Sequence, residues 1–183
     1  NMRLFEANAE KIRQLTILQD AVSEMNASHV LDNHILEILV KSALRIARAE
    51  KVLVYFLDIE KNRCLVNDGG KVFIEDRRAC EERIGRTIIR EAIDTNTVTA
   101  CQGSYAESAT RPVFSGYPSE IALPLKVKEK FKGALYLAKK SGGYSTDEIH
   151  VLDILVKNAS TSYDNSIMHS MLSLEAKSLK TEV

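Results

Sequence analysis

The sequence predicts an α+β domain, and three observations carry that expectation. Apolar residues recur at helical spacing near both ends of the chain, β-branched and aromatic runs fill its middle, and charged or Asp-Gly-Gly turns join those runs into hairpins. A chain of 183 residues, 45% hydrophobic and 27% charged, can bury one full core. One domain with appendages is therefore expected.

Residues 2–25 contain neither Gly nor Pro and carry Phe5, Ile12, Leu15, Leu18, Val22 and Met25 mostly three, four or seven apart, which predicts one amphipathic helix. So narrow a stripe suits the domain's own surface or a partner helix equally. Turn formers at 26–29 interrupt it. Asp32 is placed to N-cap a second helix, in which Ile35, Leu36, Leu39, Val40, Ala43, Ile46 and Ala47 make a broad face for the core. Residues 51–58 suit a strand covered on both sides. Lys61 and Asn62 turn it into a second strand over 63–67, which Asp68-Gly69-Gly70 ends. Residues 72–74 fit a short edge strand, and the polar run 76–82 reads as loop or a helical turn. Gly85 precedes a helix over 86–94 with Ile88, Ile89 and Ala92 on one side, and Thr95-Asn96-Thr97 stops it before a strand over 98–101.

Residues 102–118 then form a loop long enough to be functional, and they read as the lid of a pocket. Two apolar runs, Ser119-Glu-Ile-Ala-Leu-Pro-Leu125 and Gly133-Ala-Leu-Tyr-Leu137, flank a charged turn at 126–130 and make a hairpin. Ser145, with Glu148 three residues on, gives a capping-box start to a last helix. Extended to near Lys180, that helix would be about 50 Å long and would outrun a small domain. Leu152, Val156, Ala159 and Tyr163 keep the spacing of a coiled-coil seam, while Ile167 and Met171 follow at fours, a local stutter.

Charge excludes some functions. Lys+Arg and Asp+Glu balance at 25 each, so no net field draws the chain to nucleic acid or an anionic membrane. The absence of a spanning apolar run or a signal-peptide layout leads to the expectation of a soluble, cytoplasmic protein. Cys64, Cys80 and Cys101 form an odd set without close pairs, which predicts reduced thiols rather than a zinc site or a disulfide framework. All four histidines (His29, His34, His150 and His169) lie outside residues 51–144, so a pocket built there would lack imidazole. No metal and no cofactor is predicted.

The order of elements over residues 32–157 resembles the GAF domain family, with landmarks at Lys51-Val-Leu-Val-Tyr-Phe-Leu-Asp58, Arg83-Ile-Gly-Arg86 and the two runs at 119–125 and 133–137. The resemblance implies a GAF/PAS-like central antiparallel sheet of five to six strands, with the long helices on one face and a ligand pocket on the other. It implies a sensory or regulatory domain of a larger signalling protein (a sensor kinase, a cyclic-dinucleotide enzyme or a transcription activator) rather than an enzyme. Residues 1–31 would then be a signalling helix and linker, and 158–183 a projecting helix. Specialised members are excluded by motif. Phe73-Ile-Glu-Asp76 does not match the cyclic-nucleotide pattern, 102–118 has neither Cys nor His for a bilin, and only Cys80 matches a cysteine of the methionine sulfoxide reductases.

Strand alternation on that fold sends Ile121, Leu123, Leu125, Leu135 and Leu137 to the helices. Glu120, Ala122, Ala134 and Tyr136 then face the pocket, joined by Thr99 and Cys101, with Tyr105, Phe114 and Tyr117 from the lid. The expected ligand is an unidentified small organic molecule. The expected partners are a second copy, packed through Phe5, Ile12, Leu15 and Val22 of the first helix and Leu152, Val156, Ala159 and Tyr163 of the last, and covalently linked input or output domains. Two alternatives stand beside this reading: a structural dimerisation module whose pocket is filled by the lid aromatics, and a thiol switch with Cys101 or Cys80 accessible and of low pKa.

Overall fold

The computed structural model describes residues 2–27, 32–59, 63–69, 71–102, 110–128 and 131–181, of which residues 32, 33, 63, 131 and 168–181 are described by backbone alone. The elements follow as α1 (Met2–Met25), α2 (Asp32–Ala47), β1 (Lys51–Asp58), β2 (Arg63–Asp68), β3 (Lys71–Asp76), α3 (Arg77–Ile84), α4 (Ile88–Thr95), β4 (Thr99–Gln102), β5 (Ser119–Val127), β6 (Phe131–Lys139) and α5 (Thr146–Thr181). The strands form one antiparallel sheet in the order β3-β2-β1-β6-β5-β4. Consecutive strands pair as hairpins at β1–β2–β3 and β5–β6. The non-local β1–β6 pairing joins the two halves through eight register partners, from Lys51↔Ala138 to Asp58↔Phe131.

Period-two alternation gives the sheet two buried faces. On one, Val54, Phe56, Leu123, Leu125, Leu135 and Leu137 pack against α2 and α5, with α1 packed on those two helices. On the other, Leu53, Tyr55, Val66, Ala122, Ala134 and Tyr136 pack beneath α3 and α4. At Gly133 the pairing of the two halves leaves no room for a side chain. A Cβ there would lie 1.9 Å from the Tyr55 carbonyl oxygen, so only glycine lets β6 approach β1 at this point.

Several elements differ from expectation for local reasons. The polar run after β3 folds as α3 because the Asp76 carboxylate accepts the Ala79 N–H at 2.8 Å as an N-cap, and Arg77–Glu81 and Arg78–Glu82 form i,i+4 pairs along it. α4 starts at Ile88 rather than 86, since Arg86 has φ 63° and Thr87 is extended. β5 runs on to Val127, which is buried, so the turn sits later than 126. The Ser145 hydroxyl accepts the Glu148 N–H at 3.1 Å, yet the Glu148 carboxylate turns to Lys139 at 3.5 Å, so only half of the capping box forms.

The flanking helices are part of the core. Ile17, Leu18, Ala21 and Met25 of α1 are buried together with Gln14, whereas Phe5 is 77% and Ile12 65% exposed and Leu15 lies outward with them. Val22 is half-buried against the core. Leu152, Val156, Ala159 and Tyr163 of α5 are buried against their own chain, where Tyr163 stacks on Phe56 with ring centroids 5.1 Å apart. The apolar seam expected to meet a second copy is thus enclosed by α1, α2 and the sheet, and packing crosses the expected limits at 31 and 157. Among the described residues no helix is long and apolar enough to cross a membrane.

Candidate functional site

The sheet face beneath α3 and α4, together with α3 itself, holds the buried ionisable groups Tyr55, Cys64, Cys80, Glu120 and Tyr136. Ser119 and Glu120 open β5, and the register sets Cys101 opposite Glu120 and Thr99 opposite Ala122 on β4, with Tyr136 opposite Ala122 on β6. Glu120, Ala122, Ala134 and Tyr136 are fully buried, and Thr99 and Cys101 are half-buried. Strand alternation therefore brings the expected floor together. Tyr105 lies outside the described residues.

The Tyr136 hydroxyl donates to Glu120 Oε2, and the same oxygen accepts the Val113 N–H at 2.9 Å. Burial pushes the Glu120 carboxyl up, against the pull of these two hydrogen bonds. Burial, followed by its bond to the Glu120 carboxylate, likewise raises the Tyr136 phenol. Residues 110–118 are held over this pair. Phe114 tilts against Tyr136 with centroids 5.9 Å apart, and Lys51 Nζ sits 5.4 Å from the Phe114 ring and 5.3 Å from that of Tyr117. Arg111 fastens the segment's start. Its guanidinium donates to the Glu82, Arg83 and Gly85 carbonyls at 2.8–3.1 Å, supplying partners to carbonyls at the C-terminal end of α3.

A second polar cluster lies on the same face under α3, and sequence reasoning missed it. The Tyr55 hydroxyl and Cys64 Sγ are 3.0 Å apart, Cys80 Sγ lies 3.6 Å from Glu75 Oε2, and Arg83 pairs with the other oxygen of that carboxylate. Glu75 is the register partner of Cys64, so the alternation of β2 and β3 was the available signal. The thiol switch expected an accessible, low-pKa Cys101 or Cys80. Instead Cys80 is fully buried and pushed up, first by burial and then by Cys64; Cys101 is half-buried and pushed up, first by burial and then by the charge of Glu120. These environments disfavour the thiolate.

Among the described residues no group of three or more His, Cys, Asp or Glu is placed to hold a metal ion. His34 lies 3.5 Å from Glu24 and 3.6 Å from Glu37 at the surface, and His150 is exposed. His29 and the His169 side chain lie outside the described residues. An open cleft of about 420 Å³ lies along the part of β5 that β4 does not reach, where Asn96, Val98, Pro124 and Lys126 meet Asp153, Lys157 and Thr161 of α5. It shares no residue with the Glu120–Tyr136 pair.

No protein-family model matches the sequence, and no curated protein matches it either. Solved structures do. The GAF domain of the Acinetobacter phosphoenolpyruvate-protein phosphotransferase is similar at TM-score 0.66 and 18% identity, over 85% of this chain and 95% of that one. The free methionine-R-sulfoxide reductase of Neisseria meningitidis, in complex with its substrate, is similar at TM-score 0.67 and 13% identity, over 87% and 93%. The phycocyanobilin-bound GAF domain of a cyanobacterial phytochrome is similar at TM-score 0.58 and 14% identity, over 85% and 96%. The chain therefore has the GAF fold, which these GAF domains and the reductase share.

Proposed function

We propose that this chain is a non-catalytic sensory or regulatory domain in which a small organic molecule is read at Glu120 and Tyr136 beneath residues 110–118. One observation carries the reading. A fully buried carboxylate near the start of β5 takes one of its donors from the backbone of the overlying segment, at Val113, rather than from the rigid scaffold. That segment occupies the place of a ligand that could offer a donor to Glu120 and an apolar group to Tyr136, and displacing it would free Arg111 from the end of α3. On this reading the output leaves through α1 and α5, which form the opposite layer, and the exposed Phe5, Ile12 and Leu15 offer a surface for a covalently linked input or output domain.

Native mass spectrometry of the purified chain tests it. A retained or titratable small molecule, lost in Glu120→Gln, is the expected result; a bare mass that no metabolite mixture changes would point to a structural module with its second core closed by the lid. Methionine sulfoxide reduction is the enzyme reading, motivated by the similar fold of the Neisseria protein and by Cys80. Burial and the raised pKa of Cys80 weigh against it. Incubation with free methionine sulfoxide and a dithiol reductant should give no turnover.

A further inference from the structure

β3 is one end of the sheet. It pairs with β2 through six consecutive register partners, and no described strand lies beyond it, so alternate backbone N–H and C=O groups along it face outward. Such edges are commonly blunted by shortness, proline, a bulge or charged side chains. β3 has an unbroken register from Lys71 to Asp76 and no proline, and its charges are of both signs, Lys71 at one end and Glu75 and Asp76 at the other. On the face shared with α1, α2 and α5 no helix covers it, and Val72 and Ile74 are 46% and 59% exposed. The far edge differs, since β4 is only four residues long.

We infer that β3 is an interface between two copies of this chain, its two strands pairing antiparallel about a twofold axis at Phe73 to make one continuous sheet. The register follows from the residues. A twofold axis perpendicular to the sheet sets like faces opposite each other, so the pairing must centre on a residue. Centred on Phe73, Lys71 faces Glu75 of the second copy and Val72 faces its Ile74, and symmetry repeats both pairs. Centred one residue later, Lys71 faces Arg77, Val72 faces Asp76 and Phe73 faces Glu75, three poor pairs. Centred one residue earlier, Lys71 faces Phe73 and Glu75 meets no β3 residue. Only the Phe73 register matches charge with charge and apolar with apolar. The strand complements itself, which is why the occupant is a second copy rather than a foreign strand. Glu75 is already fixed by Arg83 and remains partly exposed, so Lys71 of the second copy would add a second cation to a carboxylate held in place.

Sedimentation equilibrium of the full chain over a concentration series tests this, with circular dichroism confirming that each variant folds. The wild type is expected to show a concentration-dependent monomer–dimer equilibrium. Lys71→Glu, which sets Glu against Glu at both ends, should weaken it about tenfold or more. The double variants V72K/I74E and V72E/I74E remove the same apolar surface, yet across the axis the first sets Lys against Glu and the second Glu against Glu. The first should dimerise about tenfold more tightly. A monomer at every concentration, or equal affinities for the two double variants, overturns the inference. So does a dimer indifferent to all three variants and lost in Phe5→Ser or Ile12→Ser, which would place the contact on α1.

Discussion

Leu135 and Tyr136 are neighbours in β6, both fully buried, and they belong to different interiors. Leu135 joins an aliphatic core shared by three long helices. Tyr136 joins a core that also holds Glu120, Tyr55, Cys64 and Cys80, roofed by two eight-residue helices and the segment 110–118. The first face gains stability from close apolar packing, which tolerates little rearrangement. The second holds its groups partly through hydrogen bonds, and each lost partner leaves a buried polar atom behind. The difference separates scaffold from site along a single strand.

The largest expected effect is on the scaffold. Leu135→Ala should cost about 2–5 kcal/mol in urea denaturation, the range for a truncated core leucine. It should leave the binding proposed at Glu120 unaffected wherever the protein stays folded. Next is Glu120→Ala, which strips the partner from the Tyr136 hydroxyl and the Val113 N–H and should cost about 1–3 kcal/mol. Faster amide exchange at Val113 than at Leu135 would mark the loss as local to the lid. A loss spread evenly over both faces would erase the proposed division.

A smaller effect depends on pH, and its sign differs between two carboxylates. Glu120 is held above its ordinary 4.5, so the folded protein binds that proton more tightly than the unfolded chain. Its stabilising contribution is full below about pH 4.5 and is lost as pH rises through the folded value. Glu120→Gln should therefore gain on the wild type as pH rises. Glu10 is the reverse case: its hydrogen bond with Arg13 leads the effects that lower it from 4.5 to about 2. Its contribution is present above about pH 4.5 and is lost as pH falls toward 2. Solvent screens this surface pair, so Glu10→Gln should shift stability by less than about 1 kcal/mol at neutral pH. Thermal melts of both variants between pH 3 and 8 check the two signs together.

What could be read from the sequence was what local period decides. Alternation along β5 and β6 assigned Glu120, Ala122, Ala134 and Tyr136 to one face and Ile121, Leu123, Leu125, Leu135 and Leu137 to the other, because a strand's side chains have only two directions. Helix faces were less legible. In α1 the apolar spacing pointed to Phe5 and Ile12, whereas the buried side contains Gln14, because what α2 and α5 present decides which side turns inward. In α5 the seam spacing was real, and its partner was the same chain; periodicity shows that a face is covered without showing what covers it. The Tyr55–Cys64 contact and the Glu75–Arg83 pair depend also on the β1–β2–β3 register and the placement of α3, which alternation along each strand does not fix by itself.

The pairing of α1 with α5 has a mechanical meaning. Arg13 of α1 donates to the Arg45 and Ile46 carbonyls of α2 on the side where α5 begins, near enough to feel the charge of Glu148; farther along, Ser162 of α5 donates to Asn26, just past α1, at 3.0 Å. Both helices advance in the same direction between those contacts, so they run side by side like two rails. The chain enters the helical layer at one end and leaves at the other. A pull along this axis would be felt as sliding of α1 past α5, with Arg13 and Ser162 as the two detents that resist it.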